Sequence, residues 1–400
     1  MKSWKLSNQK VLLRVDFNVP ISNGLITDDT RILKSLETIN YLLTQGAKLI
    51  IMSHLGRPLK ELLPDGQIDF KKFSLRPVAS KLAELLNVPV IFVEDCGGKK
   101  STDAISKMQK GTIVLLENTR FHKEEEKGDA VWAKSLSELG DYFINDAFGA
   151  AHREHATTAT IARYFDKDHK AFGFLMEAEI SNAHKVLSHA KKPFTAILGG
   201  AKVSDKIELI TKLISLCDHI IIGGGMAYTF LKALGYEIGK SLCEEDKMDV
   251  ALQILSSAKL DKTQIHLPVD SIAAIAFEAD AAHYTTTNEN IKASYIGLDI
   301  GPKSREKFKS VINNSKTILW NGPMGVFEMD AFSKGTEEIA KTIAQATKNG
   351  SYSLVGGGDS VAAINNFGLE NEISFISTGG GAMLELLEGK NLPGIIAIQN

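Results

Sequence analysis

A short apolar run, a polar or glycine-rich turn, a helical period, then another apolar run: this alternation repeats along almost the whole chain and limits its possible folds more than any other feature. The runs 11–15, 48–52, 90–93, 113–116 and 142–144 read as strands, with amphipathic helices over 29–45, 75–86 and 130–139. The pattern restarts after Pro193, with strands over 194–198, 220–222, 318–320, 353–355 and 374–376 and a helix over 204–216. Strands that alternate with helices pair in parallel, because each crossover carries the chain back to the same sheet edge. A chain of 400 residues exceeds what one core ordinarily serves. The sequence therefore predicts an α/β protein of two doubly wound, Rossmann-like parallel-sheet domains facing each other across a cleft. The segment 175–189 is polar and helical without a strand partner, and reads as the helix that joins them.

In open parallel sheets, ligands bind beyond the carboxyl ends of the strands. In the first half those positions are polar and often cationic. Val15 is followed by Asp16, Phe17 and Asn18; Met52 by Ser53, His54, Leu55, Gly56 and Arg57. Leu116 leads to Asn118 and Arg120, and Ile144 to Asp146, His152 and Arg153. A lone arginine is usually a surface ion-pair partner. Cations gathered at successive strand ends suit a small, highly charged anion, since guanidinium forks match carboxylate and phosphate oxygens.

In the second half the same positions carry glycine: 199–200, 223–225, 322, 356–358 and 379–381. One glycine pair needs no more than a tight turn. Three separate triplets point further, to backbone N–H groups approaching phosphate. The Walker A spacing is absent. Its nearest miss, Gly297 to Ser304, has Pro302 where the motif requires glycine, and the dinucleotide fingerprint fails at Tyr228. Lys202 follows a strand beside glycines, and Lys206 four residues on would share its helix face. Asp359 follows a glycine triplet and could hold Mg²⁺ with phosphate oxygens, while Glu328 would suit a ribose hydroxyl.

Composition restricts partners. The net charge of −2, with 24% charged residues, provides no basic field for nucleic acid or a membrane surface. Three widely spaced cysteines, 96, 217 and 243, argue against a disulfide framework, and no apolar stretch spans a bilayer. A cytoplasmic location is expected.

The segments Arg14–Pro20, His54–Pro58, Leu115–His122, Asp146–Arg153, Gly199–Ile207 and Ile222–Ala227 resemble motifs of the phosphoglycerate kinases. So do Gly297–Pro302, Trp320–Glu328, Gly356–Ser360 and Ser377–Ala382, in family order over nearly the whole chain. Thr119 and Ser360 stand where Leu or Val, and Thr, are common. The resemblance implies transfer of a phosphoryl group from 1,3-bisphosphoglycerate to ADP, giving 3-phosphoglycerate and ATP, with Mg²⁺. It implies phosphoglycerate binding by Asp16, Phe17, Asn18, Arg31, His54, Leu55, Gly56, Arg57, Arg120 and Arg153. It places nucleotide on Lys202, Lys206, Gly224, Gly225, Gly297, Asn321, Glu328, Gly356, Gly357, Gly358, Asp359 and Ser360, with Asp359 on the metal. Arg31, Lys202 and Lys206 would be catalytic. The expected domains are 1–174 and 190–384, with 385–400 packing back on the first, in a monomer that closes about a hinge. A two-lobed protein that binds a small anion without catalysis is the rival reading.

Overall fold

The computed structural model describes residues 1–400. Its contacts divide the chain into two units, Met1–Ser181 with Asn391–Asn400, and Asn182–Lys390. The division runs through one helix, Phe174–Leu187.

The first unit is built on β1 (Lys10–Val15), β2 (Lys48–Met52), β3 (Val90–Val93), β4 (Ile113–Leu116), β5 (Tyr142–Asp146) and β6 (Lys170–Phe172). They form one parallel sheet in the order β3-β4-β2-β1-β5-β6. The central strands are apolar on both faces, as burial on both sides requires. From β1, Val11, Leu13 and Val15 pack with Ile32, Ile39 and Leu42 of α1 (Thr30–Thr44) and Val78 and Leu82 of α2 (Arg76–Leu86). Leu12 points the other way, to Phe143, Leu136 and Ile161. α1 ends where Gly46 takes φ +75°, which glycine adopts without strain. The C-terminal helix Pro393–Gln399 belongs to this unit: Gly394 N–H donates to Ala151 O (2.8 Å) and Lys170 Nζ to Ala397 O (3.0 Å).

The second unit repeats the plan with β7 (Phe194–Leu198), β8 (His219–Ile222), β9 (Gln264–His266), β13 (Thr317–Asn321), β14 (Tyr352–Val355) and β15 (Phe375–Ile376). The sheet is parallel, in the order β9-β8-β7-β13-β14-β15. Ile197, Ile221, Ile318, Trp320 and Val355 form one core face against Phe308, Ile339 and Ile343. A separate antiparallel sheet of β10 (Asp270–Ala274), β11 (His283–Thr287) and β12 (Ile296–Ile300) lies in the long stretch between β9 and β13. Nothing in the alternation of runs predicts it. β10 is alanine-rich, a poor strand former, and a register shift between Ile272 and Ala273 breaks its two-residue period.

One helix begins later than its apolar spacing predicts, at Ile207 and not Ser204. The Glu244 carboxylate holds Ser204 through its N–H (3.0 Å) and its hydroxyl (2.6 Å), so residues 202–206 turn and do not wind. The helical argument for a shared face of Lys202 and Lys206 therefore fails. No helix is long and apolar enough to cross a membrane.

Candidate functional site

In the first unit, the carboxyl ends of β1, β2 and β4 converge with the first turn of α1. Arg31 Nη1 donates to the Asn18 carbonyl (2.9 Å) and lies 3.4 Å from Asp16 Oδ1. Asn18 Oδ1 in turn accepts from Gly56 N–H (2.8 Å), and Arg120 Nη1 donates to Gly56 O (2.8 Å). Behind them, buried Asn118 ties the β2 and β4 ends together. Its Oδ1 accepts from Leu55 N–H and Arg120 N–H, and its Nδ2 donates to Leu55 O and Phe73 O. Gly56 sits at φ +60° with the Phe73 ring where a Cβ would go, so no other residue fits. The side chains of Phe17 and Leu55 are core residues, which leaves only their backbone for a ligand. Arg57 and Arg153 are exposed.

The charges in this cluster are mutually repelling. Burial, then Arg120, Arg14 and Arg31, push the His54 imidazolium well below its ordinary 6.5. Burial and neighbouring Arg14 also lower Arg120. Such a group of cations is relieved by an anion. The depressed His54 value has a stability consequence. Between its folded and unfolded values the unfolded chain binds the extra proton, so stability falls as pH drops below 6.5. Thermal melts of the His54→Gln chain should therefore be less acid-sensitive than wild type below pH 6.5; parallel profiles would contradict it.

In the second unit two adjoining cavities lie at the carboxyl edge of the sheet. One, of about 340 Å³, is lined by Gly200, Lys202, Lys206, Asn321, Gly357, Gly358, Asp359, Ser360, Gly380 and Gly381. The other, of about 470 Å³, is mostly apolar: Tyr228, Leu242, Phe277, Ile296, Leu298, Met324 and Val326, with Gly224, Gly225, Gly297, Lys240 and Glu328. Gly200, Ala201 and Asp359 line both. Lys206 Nζ donates to Asn321 Oδ1, and burial lowers its ammonium from the ordinary value. Lys202 is exposed. Ser360 Oγ is buried and accepts from Gly322 N–H (2.6 Å).

The glycines divide into two groups. A Cβ on Gly199, Gly224 or Gly322 would meet the backbone of a neighbouring strand-end turn, so these serve chain packing. Gly200, Gly358, Gly380 and Gly381 face open space and leave room for a ligand. Gly297 yields to the Tyr228 hydroxyl, and Gly356 is buried and lines neither cavity. Sequence reasoning missed Lys240, Leu242, Pro268 and Phe277, which reach the apolar cavity from the segment between β8 and β12. The apolar runs predict no strand between 222 and 318, although Pro268 follows β9 and Phe277 follows β10. A glycine-walled polar cavity beside the first turn of the helix Gly358–Asn366 suits phosphates, and its apolar neighbour suits a base.

A cation cluster on one parallel-sheet unit, with a glycine-walled polar cavity beside an apolar one on another, suits a phosphotransferase of small metabolites. The family described as phosphoglycerate kinase matches residues 1–390. The phosphoglycerate kinase of Thermosipho africanus is 49% identical over 396 residues, 99% of this chain and 96% of the relative. That of Koribacter versatilis is 50% identical over 408 residues, covering 100% and 98%. The solved phosphoglycerate kinase of Coxiella burnetii superposes with a TM-score of 0.88 at 41% identity, covering 100% of this chain and 98% of that one. The Pyrococcus horikoshii enzyme gives 0.82 at 32% identity, with the same coverage. The chain belongs to the phosphoglycerate kinase family. Its reaction is phosphoryl transfer between 1,3-bisphosphoglycerate and ADP, giving 3-phosphoglycerate and ATP, with the nucleotide as co-substrate.

Proposed function

We propose that the first unit holds the phosphoglycerate and the second holds the nucleotide. Asp16, Asn18, Arg31, His54, Arg57, Arg120 and Arg153 bind the former; the backbone of Phe17, Leu55 and Gly56 borders it. The polar cavity takes the phosphates through Lys202, Lys206, Asn321 and Gly357–Ser360. The apolar one takes base and ribose beside Gly224, Gly225, Gly297 and Glu328. The observation that carries this reading is the separation of chemistries: convergent guanidinium groups on one unit, open glycine backbone beside an apolar cavity on the other.

Phosphoryl transfer asks little covalent work of a protein. It requires in-line positioning and positive charge around the moving group. Arg31 and Lys202 flank that group, and Lys206 supports it. Donor and acceptor sit on different units, so transfer requires closure, which also excludes water.

Asp359 at the junction of the cavities suits Mg²⁺. No group of three His, Cys, Asp or Glu side chains could hold an ion alone. One carboxylate fits a cation that keeps waters and takes its other ligands from phosphates. When bound, the ion would neutralise phosphate charge. The reading extends to a cytoplasmic monomer, in keeping with three free cysteines.

The test is an ATP and 3-phosphoglycerate assay with and without chelator, run beside small-angle scattering. Metal-dependent turnover is expected, with compaction only when both ligands are present. Turnover without metal would remove Asp359's role, and no compaction would remove closure.

A further inference from the structure

Arg14 charges the surroundings of His54 and Arg120 but is assigned no ligand, and it is fully buried near the end of β1. Its Nε donates to Thr157 Oγ1 (2.8 Å) and its Nη1 to the Val15 carbonyl. Its Nη2 lies 3.1 Å from His54 Nδ1 and 3.6 Å from Glu125 Oε1. Glu125 is equally buried, and its carboxylate also accepts from Thr157 N–H (2.9 Å), Thr157 Oγ1 (2.6 Å) and Thr119 Oγ1 (3.2 Å). A buried ion pair is retained only when its remaining valences are satisfied, and here they are. The pair backs the Nδ1 edge of His54.

A guanidinium has donors only, so the imidazole nitrogen that faces it must present its lone pair. Arg120, Arg14, Arg31 and His155 surround the ring, and Asp16 is the nearest carboxylate to its other nitrogen. A neutral ring that accepts at Nδ1 carries its proton on Nε2. That nitrogen lies 3.9 Å from Asp16 Oδ1, beyond hydrogen-bond reach, so the protein leaves its N–H for a ligand. The opposite tautomer would turn a lone pair on a carboxylate or phosphate oxygen.

We propose that Glu125 and Arg14 are positioning residues that fix His54 as a neutral Nε2–H donor aimed at the bound phosphoglycerate. The ligand's identity rests on the functional reading above; the tautomer does not.

The test uses the full chain with ring-¹⁵N histidine, whose long-range proton–nitrogen spectra report which nitrogen is protonated. In the wild type His54 should show a bare Nδ1 and a protonated Nε2 from about pH 6 to 8. A protonated Nδ1, or an imidazolium forming near its ordinary value, overturns the proposal without any variant. Arg14→Met should mix the tautomers and weaken 3-phosphoglycerate by about tenfold or more, the loss of one charge-assisted alignment. ADP affinity should stay unchanged. Arg14→Lys, which restores a donor, should recover most of the wild-type ring signals. A purely structural role would not produce that recovery. Unchanged His54 signals in Arg14→Met sink the idea. If Arg14→Met does not fold, Thr157→Val takes its place: it removes the Nε acceptor, and should shift the ring signals part of the way. No shift there overturns the positioning role. A wild type with the expected tautomer that fails to bind 3-phosphoglycerate overturns the ligand assignment alone.

Discussion

Replacing Lys202 by alanine is expected to lower kcat by about a hundredfold to a thousandfold, the usual loss for one oriented charge on a developing transition state. Lys202 is exposed and lines the polar cavity. Its removal therefore deletes no buried contact, and the melting temperature should move little. Phosphoglycerate affinity, if the other unit carries it as proposed, should be unaffected. Lys206 makes the useful contrast. Its ammonium is half-buried and bound to Asn321, so Lys206→Ala should lose both turnover and stability. Steady-state kinetics and thermal melts on the two variants separate the roles. An unchanged kcat in Lys202→Ala removes that residue from the chemistry. A lowered melting temperature with an unchanged kcat would make it structural.

The two large sheets were legible because parallel strands are short, unbroken apolar runs. β1, β5 and β13 lie within about two residues of their runs. The cation cluster was legible for a related reason. The carboxyl ends of parallel strands share one sheet edge, so cations that follow successive strands gather in space. Two kinds of feature stayed hidden. Arg14 and Glu125 act by being paired in space, 111 residues apart in the chain, and neither carries a local pattern. The antiparallel sheet of β10–β12, which supplies one wall of the apolar cavity, lacks a strict two-residue period. The glycines were half legible. Their positions mark the turns, but only the neighbouring atoms tell a glycine needed by the fold from one needed by a ligand.

That last distinction yields a prediction with a built-in control. Gly322 adopts φ +104°, and a Cβ there would run into the backbone of Gly199. Backbone cannot swing aside as a flexible side chain can. The two turns are also laced together: Gly199 N–H donates to Asn321 O and Gly200 N–H to Pro323 O, both at 3.1 Å. Gly322 itself accepts from Trp320 Nε1 (2.8 Å) and donates to Ser360 Oγ. Gly322→Ala should therefore cost about 3 kcal/mol or more, from strain and lost contacts together. ADP binding should fall with it, while phosphoglycerate binding, proposed for the first unit, should persist. Gly358 is the control. It is exposed, at ordinary φ, with no atom within 4 Å of the place a Cβ would take, and it starts a helix, where alanine is no worse than glycine. Gly358→Ala should leave the melting temperature equal or slightly higher, yet weaken ADP by about tenfold or more if phosphate lies against this backbone. Differential calorimetry and ADP titrations on both variants measure the two effects. Equal ADP affinity in Gly358→Ala would show that the open glycines make room for something other than phosphate. A Gly322→Ala chain as stable as wild type would show that the packed turns can part after all.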